Sequence, residues 1–354
     1  MKTRLPFLVE LRILLTLLTA LALSGDMNGQ WTVINLHPSG ATYSRAYGVA
    51  QGQQVGNATI GGVGRAVLWN GTAASVVQLN PTGRRASAFA IGDGEQVGSV
   101  DPGGGGYHAS LWSGTSGSWI DLNPSNATHS EAYGVAAGQQ VGYIFSGTRR
   151  ATLWSGSAES LVDLHPSQAS SSVANATDGK MQVGIAVVGG IESASLWSGS
   201  ASSWVNLNPV GSDRSRAHGV YGGQQVGQAR MGGVDRASLW FGSAESWVNL
   251  HPQAPLANYS YVTAIYADMQ VGNVGIGSES HASLWQGTSA SWMDLHTALP
   301  SNYRNSLALG VWRDGANTYV VGDAYNETTG RREAIMWVAP TKSISLRSAP
   351  RIGW

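Results

Sequence analysis

Short apolar runs broken by Gly, Asn and Ser recur from residue 32 onward. No window after the N-terminal segment keeps the i, i+3, i+4 spacing of an amphipathic helix. The runs fall into a repeating order of four strand types. The first is Ala-Tyr-Gly-Val (Ala46–Val49, Ala132–Val135), with Ala217–Val220 as a variant carrying His218. The second begins Gln-Gln-Val-Gly, the third reads Arg-Ala-x-Leu-Trp, and the fourth Ser-Trp-Val-x-Leu. Tight hairpins need positive φ, which Asp-Gly and Gly-Gly supply. Such pairs separate the first two strand types at Asp93-Gly94, Asp178-Gly179, Gly222-Gly223 and Asp314-Gly315.

Three landmarks share one period. Leu-Trp or its equivalent ends at Trp69, Trp112, Trp154, Trp197, Trp240, Trp285 and Trp337, in steps of 43, 42, 43, 43, 45 and 52 residues. Val-Gly and a run ending in Leu follow the same spacing, the Leu mostly preceding His-Pro or Asn-Pro. Four strands in about 40–45 residues is the size of a propeller blade. The reading is therefore all-β: a seven-bladed β-propeller of four-stranded blades over residues 25–338, with a C-terminal tail at 339–354. The fourth strand type appears first, at Thr32–Leu36, ahead of every other strand, and the last unit lacks one after Trp337. The counts favour closure by the N-terminal strand pairing with the last blade. The alternative gives that place to Ser343–Arg347 and leaves Thr32–Leu36 over. Small residues place the Ala-Tyr-Gly-Val strand next to the axis. The tryptophans then fill the widening gaps between blades, which accounts for 14 Trp against 4 Phe.

Residues 1–24 read as a secretory signal peptide: Lys2 and Arg4, an apolar core at Ile13–Leu23, and small residues at Ala20–Ser24. The core is short for a membrane span, which takes about 20 residues, so an uncleaved anchor is the lesser reading. No later stretch is long and apolar enough to cross a bilayer. The chain has no cysteine, 12% charged residues and a formal net charge of zero. These features exclude a disulfide framework and a thiolate site, and give no basis for nucleic-acid binding.

His-Ala-x-Leu-Trp (His108–Trp112, His281–Trp285), Gln-Val-Gly and strands ending in Asp-Leu (Asp121-Leu122, Asp163-Leu164, Asp294-Leu295) resemble the bacterial extracellular HAF repeat. That family is named for a His-Ala-Phe triplet ahead of Leu-Trp. The resemblance spans about residues 31–338. It departs where Phe is replaced by Ser, Thr, Val or Ile, and His by Arg65, Arg150, Arg236, Ser193 or Glu333. It implies a secreted or surface-located protein and supplies no catalytic residues.

Candidate chemistry is sparse. His37, His165, His251 and His296 share a slot with Asn80, Asn123 and Asn208, which points to a turn-closing side chain rather than a metal ligand. Arg65, His108, Arg150, Arg236 and His281 occupy equivalent strand starts, as contacts to a neighbouring blade or as an anion-binding rim. Asp121, Asp163 and Asp294 alternate with Asn and Gln, a slot for a hydrogen-bonding side chain. Tyr107, Tyr259, Tyr261, Tyr303, Trp312 and Tyr325 fall in less regular segments, as does the loop Asp101–Gly106, and these are the loop candidates for binding. Convergence of the Gly103 loop, Tyr259 and Trp312 on one face would mark a site. The expected function is a secreted or cell-surface binding module. It would be a monomer without cofactor or metal, and its partner a protein or glycan at the cell exterior. The alternatives are a structural envelope or matrix component, and a polysaccharide hydrolase or lyase using acids such as Asp314 and Asp323.

Overall fold

The computed structural model describes residues 31–341. The 28 strands form seven four-stranded antiparallel sheets, a seven-bladed β-propeller. From the axis outward, the first blade is Ala41–Ala50, Gln53–Ile60, Val63–Trp69 and Val77–Gln78. The next five blades repeat that order. The seventh takes Tyr303–Arg313, Asn317–Asn326 and Arg331–Pro340 from the C-terminal end, and Thr32–Asn35 as its outer strand. Thr32 lies opposite Val338, Val33 opposite Trp337 and Asn35 opposite Ile335. The third strand of this blade runs on to Pro340, two residues into the segment read as tail. Residues 1–24 and Ser343–Arg347 lie outside the described residues.

A hydrogen-bonded cluster ties the two chain ends together. Asn35 Nδ2 donates to Glu333 Oε2 (2.8 Å) and to the Tyr303 hydroxyl (3.1 Å), and that hydroxyl donates to Glu333 (2.8 Å). Burial alone would raise the Glu333 carboxyl. Bonds from Asn326, Tyr303, Thr329 and Asn35 outweigh it and hold the group below the usual range.

The blades pack through their third-strand tryptophans. Trp69, Trp112, Trp154, Trp197, Trp240, Trp285 and Trp337 are all 0% exposed. Each sits against the blade before it: Trp112 meets Val55, Leu68 and Leu79 of the first blade, and Trp69 meets Leu36, Val321 and Met336 of the seventh. Burying one indole is worth roughly 4–6 kcal/mol of transfer free energy before chain entropy is subtracted. The outer strands are shorter than their sequence pattern suggests, only two residues in the first six blades. Their Ser-Trp half instead closes a 3-10 turn, the Ser its last residue and the Trp its cap. There Trp119, Trp204, Trp247 and Trp292 are half-buried, each donating its indole N–H to a third-strand serine (Ser110, Ser195, Ser238, Ser283).

A second feature of each junction is polar. Ser172 Oγ, fully buried, accepts the Ala151 N–H of the preceding blade (2.9 Å) and meets Nδ1 of His165 from the crossing between the blades (2.7 Å). Ser44, Ser260 and Ser306 do the same with His37, His251 and His296, while Ser130 and Ser215 meet Asn123 and Asn208. The His/Asn slot therefore closes a crossing onto the next blade's inner strand. In the second blade Ala86 holds the serine position, and Asn80 donates to the Arg84 and Gly64 carbonyls instead.

Two of the four expected hairpins differ from the sequence reading. Asp93-Gly94 and Gly222-Gly223 have positive φ at both residues. At Asp178 and Asp314 the carboxylate bonds backbone N–H groups two and three residues ahead, so the side chain shapes the turn.

The Val-Gly landmark has a steric cause. Each inner strand slips register beside it, as between Ala132 and Gly134. A Cβ on Gly142 would land on the Glu131 carbonyl oxygen. Gly142→Ala is therefore expected to destabilise the protein by roughly 1–3 kcal/mol. Gly117→Ala, where a Cβ meets open space, serves as the control. Urea unfolding of both variants checks this; equal midpoints would remove the steric account.

Candidate functional site in the axial channel

Three consecutive residues from each inner strand, from Tyr47–Val49 to Leu309–Val311, line an axial cavity of about 510 Å³. Glycine and small residues at the middle position allow the seven strands to approach: a Cβ on Gly134 would fall 2.8 Å from the Cα of Ala176 in the next blade. The first position varies around the ring. Tyr47, Phe89 and Tyr133 form an aromatic arc over blades one to three, with centroids 5.6 and 5.4 Å apart, continued by Tyr143 at 6.0 Å. Asn175, His218, Thr263 and Leu309 fill the rest. Asn175 and Thr263 already bond backbone carbonyls of the next blade, Ala217 (2.8 Å) and Ala308 (2.7 Å). The arc thus lines one side of the channel with rings, and Asn175, His218 and Thr263 bring polar groups to the other, beside the apolar Leu309.

In an antiparallel blade, inner-strand starts and second-strand ends lie at the same end, together with the crossings between blades. At this crossing face, charged groups surround the channel mouth. Asp323, fully buried, is shared by Arg45 (3.2 Å) and Arg332 (2.9 Å). Burial disfavours the Arg45 charge, but Asp323 and the rings of Tyr47 and Tyr43 outweigh it and hold the guanidinium protonated. Arg214 and Arg230 likewise share Asp235 (3.4 and 3.3 Å). Arg216 pairs with Glu192 (2.6 Å). Arg149 lies 5.1 Å over the Tyr143 ring, whose hydroxyl donates to Glu131 (3.0 Å). Burial, then Glu131, pushes the Tyr143 hydroxyl up to about 12. Two arginines share one carboxylate at two places, so these arginines outnumber their acids; Arg304, which meets both Glu279 and Glu327, is the reverse case on the same face.

Tyr259 and Tyr261 sit on the inner strand of the sixth blade rather than in a loop before it. Their rings stack at 6.2 Å, and with Arg216, His218, Gln228 and Asp235 they line a side cavity of about 470 Å³ that joins the channel at His218 and Thr263. Tyr107 and Tyr325 are on the same face and exposed (42% and 37%). Trp312 is at the opposite end, stacked on Tyr319 and packed into the core between the seventh and first blades. The Gly103 loop and Tyr259 therefore share a face and Trp312 does not. Asp314 and Asp323 are also separated: Asp314 lies in the turn before the strand Asn317–Asn326, and Asp323 toward the far end of that strand, roughly 20 Å away. Asp314 is committed to its turn and Asp323 to two arginines.

The row of basic strand starts contacts its own blade rather than the neighbouring one. His108 meets Asp121 (2.7 Å), Arg150 Nε donates to Asp163 (3.0 Å) and His281 meets Asp294 (2.8 Å), each on the adjacent outer strand. The other oxygen of each aspartate accepts the backbone N–H two residues on, as Asn206 and Asn249 also do. Arg65 and Arg236 make no ion pair among the described residues. Sequence reasoning missed Arg45, Arg332 and the Tyr47–Phe89–Tyr133 arc. The signal for the arc is the variable position inside the Ala-Tyr-Gly-Val strand, and that for Arg45 the position two residues before it; Arg332, on a third strand, has no such signal.

No family model matches the chain, and no curated protein matches it significantly. Solved structures do match in fold. The β-propeller domain of the Trilobed protease from Pyrococcus furiosus, described as having an open velcro topology, matches at TM-score 0.57 and 9% identity, over 88% of this chain and all of that one. A prolyl endopeptidase structure matches at 0.56 and 11%, over 85% of this chain and 51% of that one. A puromycin hydrolase matches at 0.53 and 10%, over 89% and 55%. The chain spans about half the length of these last two proteins, and identities this low bear on fold alone.

Enclosure in the channel pushes the His218 imidazole down to about 4, so it is neutral at pH 7, its Nε2 facing Gln228 Oε1 at 3.4 Å. A folded value below the unfolded 6.5 means that the unfolded chain takes up the proton first on acidification. This contribution to stability is complete above pH 6.5 and is lost as pH falls toward 4. His218→Asn, the residue found at Asn175, is expected to flatten the stability slope over that interval. Denaturant titrations at pH 7, 5.5 and 4 measure it; an unchanged slope would refute it.

Proposed function

We propose that this chain is a secreted or cell-surface binding propeller of the HAF-repeat type, whose channel mouth on the crossing face takes an acidic glycan. The observation that carries the reading is the coincidence of stacked aromatic rings and surplus arginine at one mouth. Rings offer flat apolar platforms to sugar faces. Arginine supplies forked donors for carboxylate or sulfate groups. Export, supported by the signal-like residues 1–24, would place such a mouth among extracellular polysaccharides. The propeller scaffold itself is compatible with many activities, so the argument rests on the mouth and not on the fold.

Titration of the purified protein with uronate-bearing, sulfated and neutral oligosaccharides tests this. Acidic glycans are expected to bind, more weakly as salt rises. Tyr259→Ala and Tyr261→Ala should each weaken binding about tenfold, the scale of one aromatic contact. Equal affinity for neutral glycans, preference for acidic peptides, or full binding after both tyrosines are removed would contradict it.

A further inference from the structure

The sixth blade differs from every other at the start of its third strand. The strand-start slot around the ring holds Arg65, His108, Arg150, Ser193, Arg236, His281 and Glu333, and the crossing slot holds Asn or His. Only here do both carry imidazole, as His281 and His296. A third ligand-type side chain, Glu279, begins the same strand. One ligating atom from each of the three lies within 4.8 Å of the others. The two rings stack with centroids 4.2 Å apart.

Each ring is held at Nδ1, and among the described residues neither Nε2 has a hydrogen-bond partner. Nδ1 of His281 meets Asp294 (2.8 Å), and Nδ1 of His296 meets Ser306 Oγ (2.8 Å). The other crossing histidines are different, because their second contact is to backbone. His37 Nε2 meets the Ala41 carbonyl (2.9 Å), and the backbone of Ala169 and Ala257 bonds the rings of His165 and His251. The sixth crossing contains an additional 3-10 turn, His296–Ala298, and no such bond to His296 is formed.

We propose that Glu279, His281 and His296 form a binding site for a divalent transition-metal ion of the zinc class. Two imidazoles and a carboxylate are a zinc-type donor set, and three protein ligands leave a fourth position for water or an external group. Asp294 serves as the outer-shell carboxylate that fixes the His281 tautomer, with Nε2 directed at the ion. Arg304 lies 3.5 Å from Glu279 but bonds Glu327 at 2.8 Å, so it has a second partner when Glu279 turns to the metal. The site is accessible, with the His281 and Glu279 side chains 16% and 26% exposed.

The ring itself supplies conservative variants. His281→Arg installs the residue of the first, third and fifth blades, and His296→Asn that of the first, second and fourth. Chelator-stripped full-length protein is titrated with zinc by calorimetry and followed by thermal melting. Wild type should bind one ion per chain and melt higher with zinc. Each of the two variants, and Glu279→Gln, should bind at least about 10–100-fold more weakly, no less than the loss of an outer-shell partner costs. His251→Asn, at an equivalent crossing without the cluster, should bind like wild type. Glu279→Gln, at a partly exposed strand end, decides the matter if a histidine variant fails to fold. Absence of stoichiometric zinc binding, or unchanged affinity in the variants that fold, would overturn the site.

Discussion

Each blade is an antiparallel sheet with two faces to bury, and neither can be buried within the blade. The junction between successive blades is therefore the unit on which the structure depends. It has an apolar half, where an indole at 0% exposure fills the wedge against the previous blade. It has a polar half, where in most junctions a buried serine accepts an N–H from the previous third strand and meets a His or Asn from the crossing. The apolar half supplies most of the free energy. The polar half satisfies donors that would otherwise be buried unpaired, and so fixes how one blade sits on the next.

A ring of such junctions has no free face only if the seventh blade packs on the first. Leu36 shows how the chain achieves this: it belongs to the same core cluster as Trp69 of the first blade and Met336 of the seventh. The N-terminal strand thus completes a sheet and a junction together. Asn35, Glu333 and Tyr303 make the contact specific, joining residues some 300 positions apart in sequence through hydrogen bonds inside the blade.

The repeat was legible because it is enforced sterically. Trp, Val-Gly and the terminal Leu each occupy a place that accepts few alternatives, so they recur. The displaced first copy at Thr32–Leu36 was readable for the same reason. Two things were harder to see. The outer strands shrink to two residues because a 3-10 turn takes the Ser-Trp half, and no period distinguishes those states. The His-Glu cluster also escaped slot-by-slot reading, which averages over blades. His281 and His296 look ordinary when each is compared with its own column, and become distinctive only when both columns meet in one blade. Ser44, Ser130, Ser172, Ser215, Ser260 and Ser306 stand two residues before the inner-strand motif, a column that reveals nothing until the crossing opposite it is seen.

The channel mouth and the His-Glu cluster are departures from sevenfold equivalence on a scaffold that otherwise enforces it, and both lie on the crossing face. Their geometry is set by the junctions between blades, and the junction of the seventh blade with the first exists only in a closed ring. The most direct measurement of that closure uses the absence of native cysteine. With Thr32 and Val338, which face each other in register, both replaced by cysteine, mild oxidation should give an intramolecular disulfide in nearly every chain. That product should be monomeric and revert on reduction. Free thiols after oxidation, or cross-links only between chains, would show that the N-terminal strand does not complete the seventh blade.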